Sequence, residues 1–281
     1  ALNYTIGNAI DAYTGSKNAD TVTVTDYNLI GASDSFNGGA GADTANINID
    51  GGATAALIGT LTAAQLGTFS SFSIFNIDDA TATYIGVTLD DAFVTANAAS
   101  NALSIVNIDT TGGTIGTALL TIDASAVTNS TVALTLTGGS AVDTIKDGAG
   151  ADIITGGAGN DVITLGGGKD DLVSIASAGN DTVTGFDFGT SSTSVDQIDL
   201  SAITTITGLT LTDGAIIRSA TDTIAAGDNI MILDGTTYAT SAAAETAVDT
   251  LAGAGPTATG GAIIVWQDTF GSLRVSSDTT V

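Results

Sequence analysis

A nine-residue period is the feature that most constrains this chain. From residue 138 the sequence reads GGSAVDTIK (138–146), DGAGADIIT (147–155), GGAGNDVIT (156–164) and LGGGKDDLV (165–173), followed by a looser SAGNDTVT (177–184). The sixth position of each full unit is an aspartate: Asp143, Asp152, Asp161 and Asp170, nine apart at every step. The eighth position is a large apolar residue: Ile145, Ile154, Ile163 and Leu172. Asp181 follows Asp170 by eleven residues, so the register loosens there. A short fixed period marks a solenoid, because a single repeat cannot bury its apolar face and must stack on another.

Each unit has the form G-G-x-G-x-D-x-U-x. The glycines permit left-handed backbone and let carbonyl oxygens converge without Cβ clashes. The x-U-x segment is a short strand with U directed into the core. Two units complete one coil of a parallel roll, so unit i stacks on unit i+2 at about 4.8 Å. That stacking brings Asp143 beside Asp161 on one edge and Asp152 beside Asp170 on the other. Carboxylates so close repel unless they are neutralised. An irregular, roomy, all-oxygen gap suits Ca²⁺, whereas Mg²⁺ demands a stricter octahedron. The apolar layer is thin, so ion binding and folding are expected to be one event. At extracellular calcium levels the expected Kd is roughly 10⁻⁴–10⁻³ M.

A weaker copy lies near the start. Asp11 and Asp20 are nine apart, as are Asp34 and Asp43. Its best unit is GGAGADTAN (38–46), with Ala45 where a large apolar residue belongs. These four aspartates are a second set of candidate metal ligands.

Composition agrees with carboxylate-lined turns. Of 30 acidic residues, 29 are Asp and only Glu245 is Glu, alongside 36 Gly and a formal net charge of -25. Asp bonds its own turn, whereas Glu favours helices. The five basic residues, Lys17, Lys146, Lys169, Arg218 and Arg274, do not cluster, so nucleic acid is excluded as a partner. The absence of His removes His-based general base catalysis, Ser-His-Asp triads and nearly all catalytic zinc sites. There is no Cys, and metal ions are expected to act as the staples. No apolar run approaches 18 residues, so no membrane insertion is expected. The chain opens on Ala1 with no signal peptide, which fits a processed chain, a piece of a longer one, or export without an N-terminal signal.

Residues 45–137 alternate apolar and polar in short runs, among them 73–77, 85–89, 103–108, 119–122 and 132–136. They read as successive solenoid rungs at irregular spacing. The Ala-rich patches 53–66 and 90–100 read as short helices or capping excursions. Beyond the repeats, 206–239 alternates again, 241–251 is the best helix, and 261–277 reads as a hairpin with Trp266 on one strand. The fold expected is all-β: a parallel β-roll or β-solenoid with calcium-binding nonapeptide turns, plus a C-terminal β-rich region with one short helix. Four segments are expected: degenerate repeats (1–44), an irregular solenoid (45–137), the calcium-binding roll (138–189) and a C-terminal β-rich domain (190–281).

The run from Gly138 to Val173 resembles the hemolysin-type calcium-binding repeats of the RTX superfamily. The segment GNDTVTGFDFG (179–189), followed by QIDLS (197–201), is similar to the exit sequence of those rolls. The Thr/Asn/Ile strand runs resemble those of RTX-type surface-layer proteins. The end, 263–276, is similar to C-terminal domains of large type I-secreted surface proteins. The resemblance implies Ca²⁺ ligands at Asp143, Asp152, Asp161 and Asp170, with Asp181 outlying. It adds the turn carbonyls of Gly148, Gly150, Gly157, Gly159, Gly166 and Gly168. It also implies type I export and folding outside the cell. Ala141 and Val142, Asp147, and Leu165 depart from the pattern, and weaker binding is expected in those end units.

Three functions fit. The first is a secreted structural protein, a subunit of a surface layer or extracellular filament that self-assembles on Ca²⁺. The second is a calcium-binding module of a secreted adhesin or polysaccharide-modifying enzyme, with cell-surface polysaccharide as partner. The third is catalysis by carboxylate pairs such as Asp78 with Asp79 or Asp90 with Asp91. The first is preferred and no enzyme is expected. Exposed strand edges without obvious caps favour homopolymers.

Overall fold

The computed structural model describes residues 2–7, 9–49, 58–78, 84–98, 101–109, 114–115, 118–173, 181–187, 196–199, 214–217, 230–240, 243–244, 262–268 and 273–278. Short strands wind into stacked coils. Strands three residues long, such as Thr144–Lys146, Ile153–Thr155 and Val162–Thr164, bury the middle side chain and leave its neighbours facing outward or half-covered. This is the period-2 alternation of a strand with one face in the core.

One parallel sheet runs through Asn3–Thr5, Thr21–Val24, Thr44–Asn48, Ile74–Asp78, Ala102–Asp109, Ala133–Thr137, Ile153–Thr155, Asp171–Val173 and Gln197–Asp199. A second begins at Ile58–Leu61 and continues in parallel through Tyr84–Asp90, Leu119–Ala126, Thr144–Lys146, Val162–Thr164 and Thr182–Thr184. Ala12–Thr14, Ser35–Asn37 and Phe69–Ser70 form a third, three-stranded sheet in the first coils. The expected all-β parallel roll is therefore the fold, and its units pair two apart. Ile145 is in register with Ile163, and Ile154 with Leu172. The irregular rungs obey the same rule, with Leu136 in register with both Ile105 and Ile154.

These registers make continuous apolar columns. Val22, Ala45, Phe75, Ile105, Leu136, Ile154, Leu172 and Ile198 succeed one another along the first sheet. Leu61, Val87, Ile122, Ile145, Ile163 and Val183 do so along the second. Ala45 is fully buried, flanked in register by Val22 and Phe75. Phe75 belongs to a ring cluster with Phe69, Phe72 and Phe93, at centroid separations of 5.0–6.0 Å. The bulk missing at position 45 is thus supplied by a neighbouring coil.

Ala63–Leu66 and Asp91–Asn97 are short helices inside the two Ala-rich patches. The first carries a capping box between Thr62 and Gln65, and Asp90 caps the second. Residues 53–57 and 99–100 of those patches lie outside the described residues, as does the 241–251 helix apart from Ala243 and Ala244. The C-terminal hairpin forms, with Ala262–Asp268 antiparallel to Leu273–Asp278 and Trp266 opposite Arg274. It joins the roll where Leu273 pairs with Val183. No helix among the described residues is long and apolar enough to cross a membrane.

Turn stacking sets a test. Gly157 has φ +108°, and a Cβ there would fall inside the contact distance of Gly139 O in the turn two units earlier. Gly167 has open space around its Cα and no positive φ. Gly157→Ala is expected to destabilise the roll by about 3 kcal/mol, and Gly167→Ala by less than about 1 kcal/mol. Thermal melts in saturating calcium check the pair. Equal effects would remove the turn-stacking explanation.

Candidate metal centre

The sixth-position aspartates are not simply set face to face. Each Oδ1 accepts from the backbone N–H of the residue one coil earlier, usually another aspartate. Asp143 N–H donates to Asp161 Oδ1 (2.8 Å), and Asp161 N–H to Asp181 Oδ1 (3.0 Å). On the opposite edge, Asp152 N–H donates to Asp170 Oδ1 (2.9 Å), and Asp170 N–H to Asp196 Oδ1 (2.9 Å). The two ladders begin at Leu120 N–H to Asp143 Oδ1 and Leu134 N–H to Asp152 Oδ1, both 2.7 Å. Only a short carboxylate can bond the main chain of the adjacent coil while remaining in its own turn. The second oxygen faces the turn: Gly139 N–H donates to Asp143 Oδ2 (2.5 Å) and Gly148 N–H to Asp152 Oδ2 (3.2 Å).

The structure places Asp143, Asp161 and Asp181 on one edge and Asp152 and Asp170 on the other. The eleven-residue step to Asp181 leaves the strand register intact, with Val162 paired to Thr182. The N-terminal four follow the same logic: Asp20 N–H donates to Asp43 Oδ1 (2.7 Å) and Asp11 N–H to Asp34 Oδ1 (3.0 Å). Asp11, Asp20 and Asp34 are hydrogen-bonded on both oxygens, Asp20 through Leu2 N–H and Ser16 N–H, whereas Asp43 Oδ2 has no partner. Asp11 also accepts from Tyr4 Oη (2.5 Å) and Gly7 N–H (3.0 Å), and Asp34 from Gly31 N–H (2.7 Å). The glycine carbonyls lie in the stacked turns. Gly148 O accepts from Gly167 N–H at 3.0 Å, while Gly150 O packs against Gly168 and Gly148 O against Gly166. Gly157 and Gly159 lie against Gly139 O and Ala141 O.

Two aspartates were not singled out as ligands by the repeat pattern. Asp147, at the first position of its unit, lies with Asp152 and Asp170 so that one carboxylate oxygen of each is within 4.8 Å of the others. Asp196 extends the ladder after a long connection and accepts from Asp187 N–H as well (2.7 Å). The signal for Asp196 is the run Asp196-Gln197-Ile198-Asp199, which repeats the D-x-U-x half of a unit.

Electrostatics identify what these groups lack. Asp43, Asp143, Asp147, Asp152, Asp161, Asp170 and Asp196 are buried. Among the described residues, Asp43 Oδ2, Asp147 Oδ2, Asp161 Oδ2 and Asp170 Oδ2 are buried with no hydrogen-bond partner. Burial pushes Asp147 up to about 8, and the charges of Asp170 and Asp152 add to it. Asp170 rises to about 6 through burial first, then the charges of Asp196 and Asp152. Asp181 rises to about 6 through burial and then Asp161. Burial likewise raises Asp152, Asp161 and Asp196. In the N-terminal set burial raises Asp43, while the Ser16 N–H holds Asp20 low. Orphaned oxygens in an all-oxygen donor set fit a hard divalent cation, which neutralises them without a proton. When bound, Ca²⁺ supplies that positive charge and takes the oxygen lone pairs as ligands.

The RTX calcium-binding nonapeptide repeat is matched in four copies, at residues 31–46 and 137–172. No curated relative and no solved structure matches the chain. Such repeats bind Ca²⁺ and are typical of type I-secreted proteins. Because the turns matched in 137–172 are those whose aspartates stack two units apart, the chain carries hemolysin-type RTX calcium-binding repeats, with Ca²⁺ as their cofactor.

Proposed function

We propose that this chain is a secreted structural protein that folds on Ca²⁺ outside the cell and then self-assembles into a surface layer or extracellular filament. The observation that carries the folding step is the set of buried, partnerless carboxylate oxygens inside the stacked turns. In this reading Asp143, Asp161 and Asp181 hold calcium on one edge, and Asp152, Asp170 and their turn carbonyls hold it on the other. The ladder bonds from backbone N–H to Oδ1 fix each carboxylate, so its second oxygen stays directed into the turn. The ion then neutralises charge that would otherwise force neighbouring coils apart.

The assembly step is supported by the dominance of stacked rungs. Among the described residues the strands Asn3–Thr5, Ala12–Thr14 and Ile58–Leu61 each pair on one side only. Unpaired backbone groups at a sheet edge are templates for another strand. The carboxylate pair Asp90 and Asp91 has structural work instead of an open catalytic face. Asp90 Oδ1 accepts from Phe93 N–H (2.8 Å), and Asp91 accepts from Thr128 N–H (2.8 Å), Thr128 Oγ1 (2.6 Å) and Asn129 N–H (3.1 Å).

Electron microscopy and light scattering of the purified chain are expected to show ordered sheets or fibres in millimolar Ca²⁺ that dissolve in excess chelator. A monomer in calcium that is retained on polysaccharide would replace this reading with that of an adhesin or enzyme module. Polymers that persist in chelator would remove calcium from the assembly step.

A further inference from the structure

The two edges of the roll are not equivalent. In units 138–146 and 156–164 the first residue is Gly, and a Cβ built on Gly138 or Gly156 would abut the Oδ2 of that unit's own sixth residue, Asp143 or Asp161. A side chain at the first position is therefore aimed at the sixth-position carboxylate. Unit 147–155 has an aspartate there. Asp147 Oδ1 accepts from Gly166 N–H in the next coil, which anchors the side chain between the two turns. Its Oδ2 has no partner, and neither has Asp170 Oδ2, although the two residues are only 2 % and 1 % exposed. Asp147, Asp152 and Asp170 so converge within 4.8 Å, where the Asp143 edge has sixth-position carboxylates and glycine.

The turn beside Asp147 borders a groove of about 300 Å³ lined by Lys146, Asp147, Gly148, Thr128 and Gly166. Lys146 does not neutralise the cluster directly, because its ammonium pairs with Asp123 at 3.2 Å.

We propose that Asp147, Asp152 and Asp170 form a three-carboxylate calcium site that binds more tightly than the glycine-led site of Asp143 and Asp161, so that the roll fills in two steps with the Asp147 edge first. The proposal rests on the calcium-binding reading of the repeats. Affinity among calcium sites is graded by the number of ligand charges and the rigidity of the cage, and Asp147 adds to both. The first-position departure, which the repeat pattern alone reads as a weakening, becomes the feature that sets the tighter site apart.

The test is calorimetric titration of the full chain with Ca²⁺, paired with direct-excitation Tb³⁺ luminescence, on wild type, Asp147→Asn and Asp147→Gly. The glycine variant restores the residue found at 138 and 156, so folding is retained, and far-UV circular dichroism at saturating calcium checks it. The expected wild-type result is at least two affinity classes. Either substitution weakens the tighter class by roughly tenfold or more, merging it with the looser one. If both variants keep the tight class, Asp147 is no ligand and this proposal fails while the calcium reading stands. If wild type takes up neither ion, both fall.

Discussion

Chelation at neutral pH is expected to unfold the nonapeptide coils of 138–173 while much of the described part of 2–137 stays folded. The two halves share a coil plan and one continuous apolar column, but the bulk packed along it differs. In the first, Phe36 and Phe69 lie 4.8 Å apart and join Phe72, Phe75 and Phe93 in one ring cluster, closed by the capped helices Ala63–Leu66 and Asp91–Asn97. In the roll, each nine-residue unit contributes a three-residue strand with one buried branched side chain. So little apolar burial per residue does not offset the entropy of ordering nine residues, and Asp147, Asp152, Asp161 and Asp170 add unfavourable buried charge. Calcium is therefore part of the core of this half, and its binding energy is folding energy. Hydrogen exchange read by mass spectrometry should show protection across 138–173 falling by roughly a hundredfold or more in chelator. The strands Thr44–Asn48, Ile74–Asp78 and Ala102–Asp109 should remain protected. Returned calcium should restore the lost protection. Unchanged exchange over 138–173 in metal-free buffer would mean that the aspartates are not structural ligands.

Much of this fold is legible in the period. Asp at the sixth position and Ile or Leu at the eighth determine strand length, inward direction and the two-unit stacking step, and the registers of Ile145 with Ile163 and Ile154 with Leu172 follow. The irregular rungs are legible as strands because Val, Ile, Leu and Thr alternate there. Their pairing is harder to read, since the partner of Ile105 lies thirty residues away at Phe75 and thirty-one away at Leu136. The third sheet of the first coils leaves no mark of its own, because Ala12–Thr14 and Ser35–Asn37 have the same alternation as their neighbours. Ala45 shows the same limit from the packing side. Its unit looks degenerate in isolation, and only the three-dimensional register reveals Phe75 beside it.

The site divides in a similar way. Sixth-position aspartates are marked by spacing. The ladder that joins each Oδ1 to the preceding coil's N–H is a property of stacked main chains, which a one-dimensional pattern does not contain. Asp147 illustrates the consequence. Judged against a consensus it is a substitution for glycine, whereas in the coil it points at Asp152 and Asp170. Asp196 stays hidden for a different reason. Twenty-six residues separate it from Asp170, and the period loses count before the D-x-U-x signature returns.

The pH dependence of the metal-free chain should run opposite to that of the calcium-bound chain. Burial raises Asp147 to about 8 and Asp170 and Asp181 to about 6, from an ordinary value near 3.8. The folded state therefore binds more protons than the unfolded state between about pH 4 and 8, and stability falls as pH rises through that window. What these groups contribute is fully present below their unfolded values and is lost as pH passes their folded ones. Asp20, Asp91 and Asp123 are held low by hydrogen bonds, so they act in the other direction, losing stability only as pH drops below about 4. Metal-stripped protein should accordingly melt highest near pH 4 to 5 and lowest near pH 8. In saturating calcium the ligands must be deprotonated, protons compete with the ion, and the melting temperature should rise over the same interval. Circular-dichroism melts in the two buffers at matched ionic strength read the crossing directly, with an expected separation of tens of degrees near pH 8. Parallel curves, or a metal-free chain that melts higher at pH 8 than at pH 5, would show that the buried carboxylates are not the groups on which calcium acts.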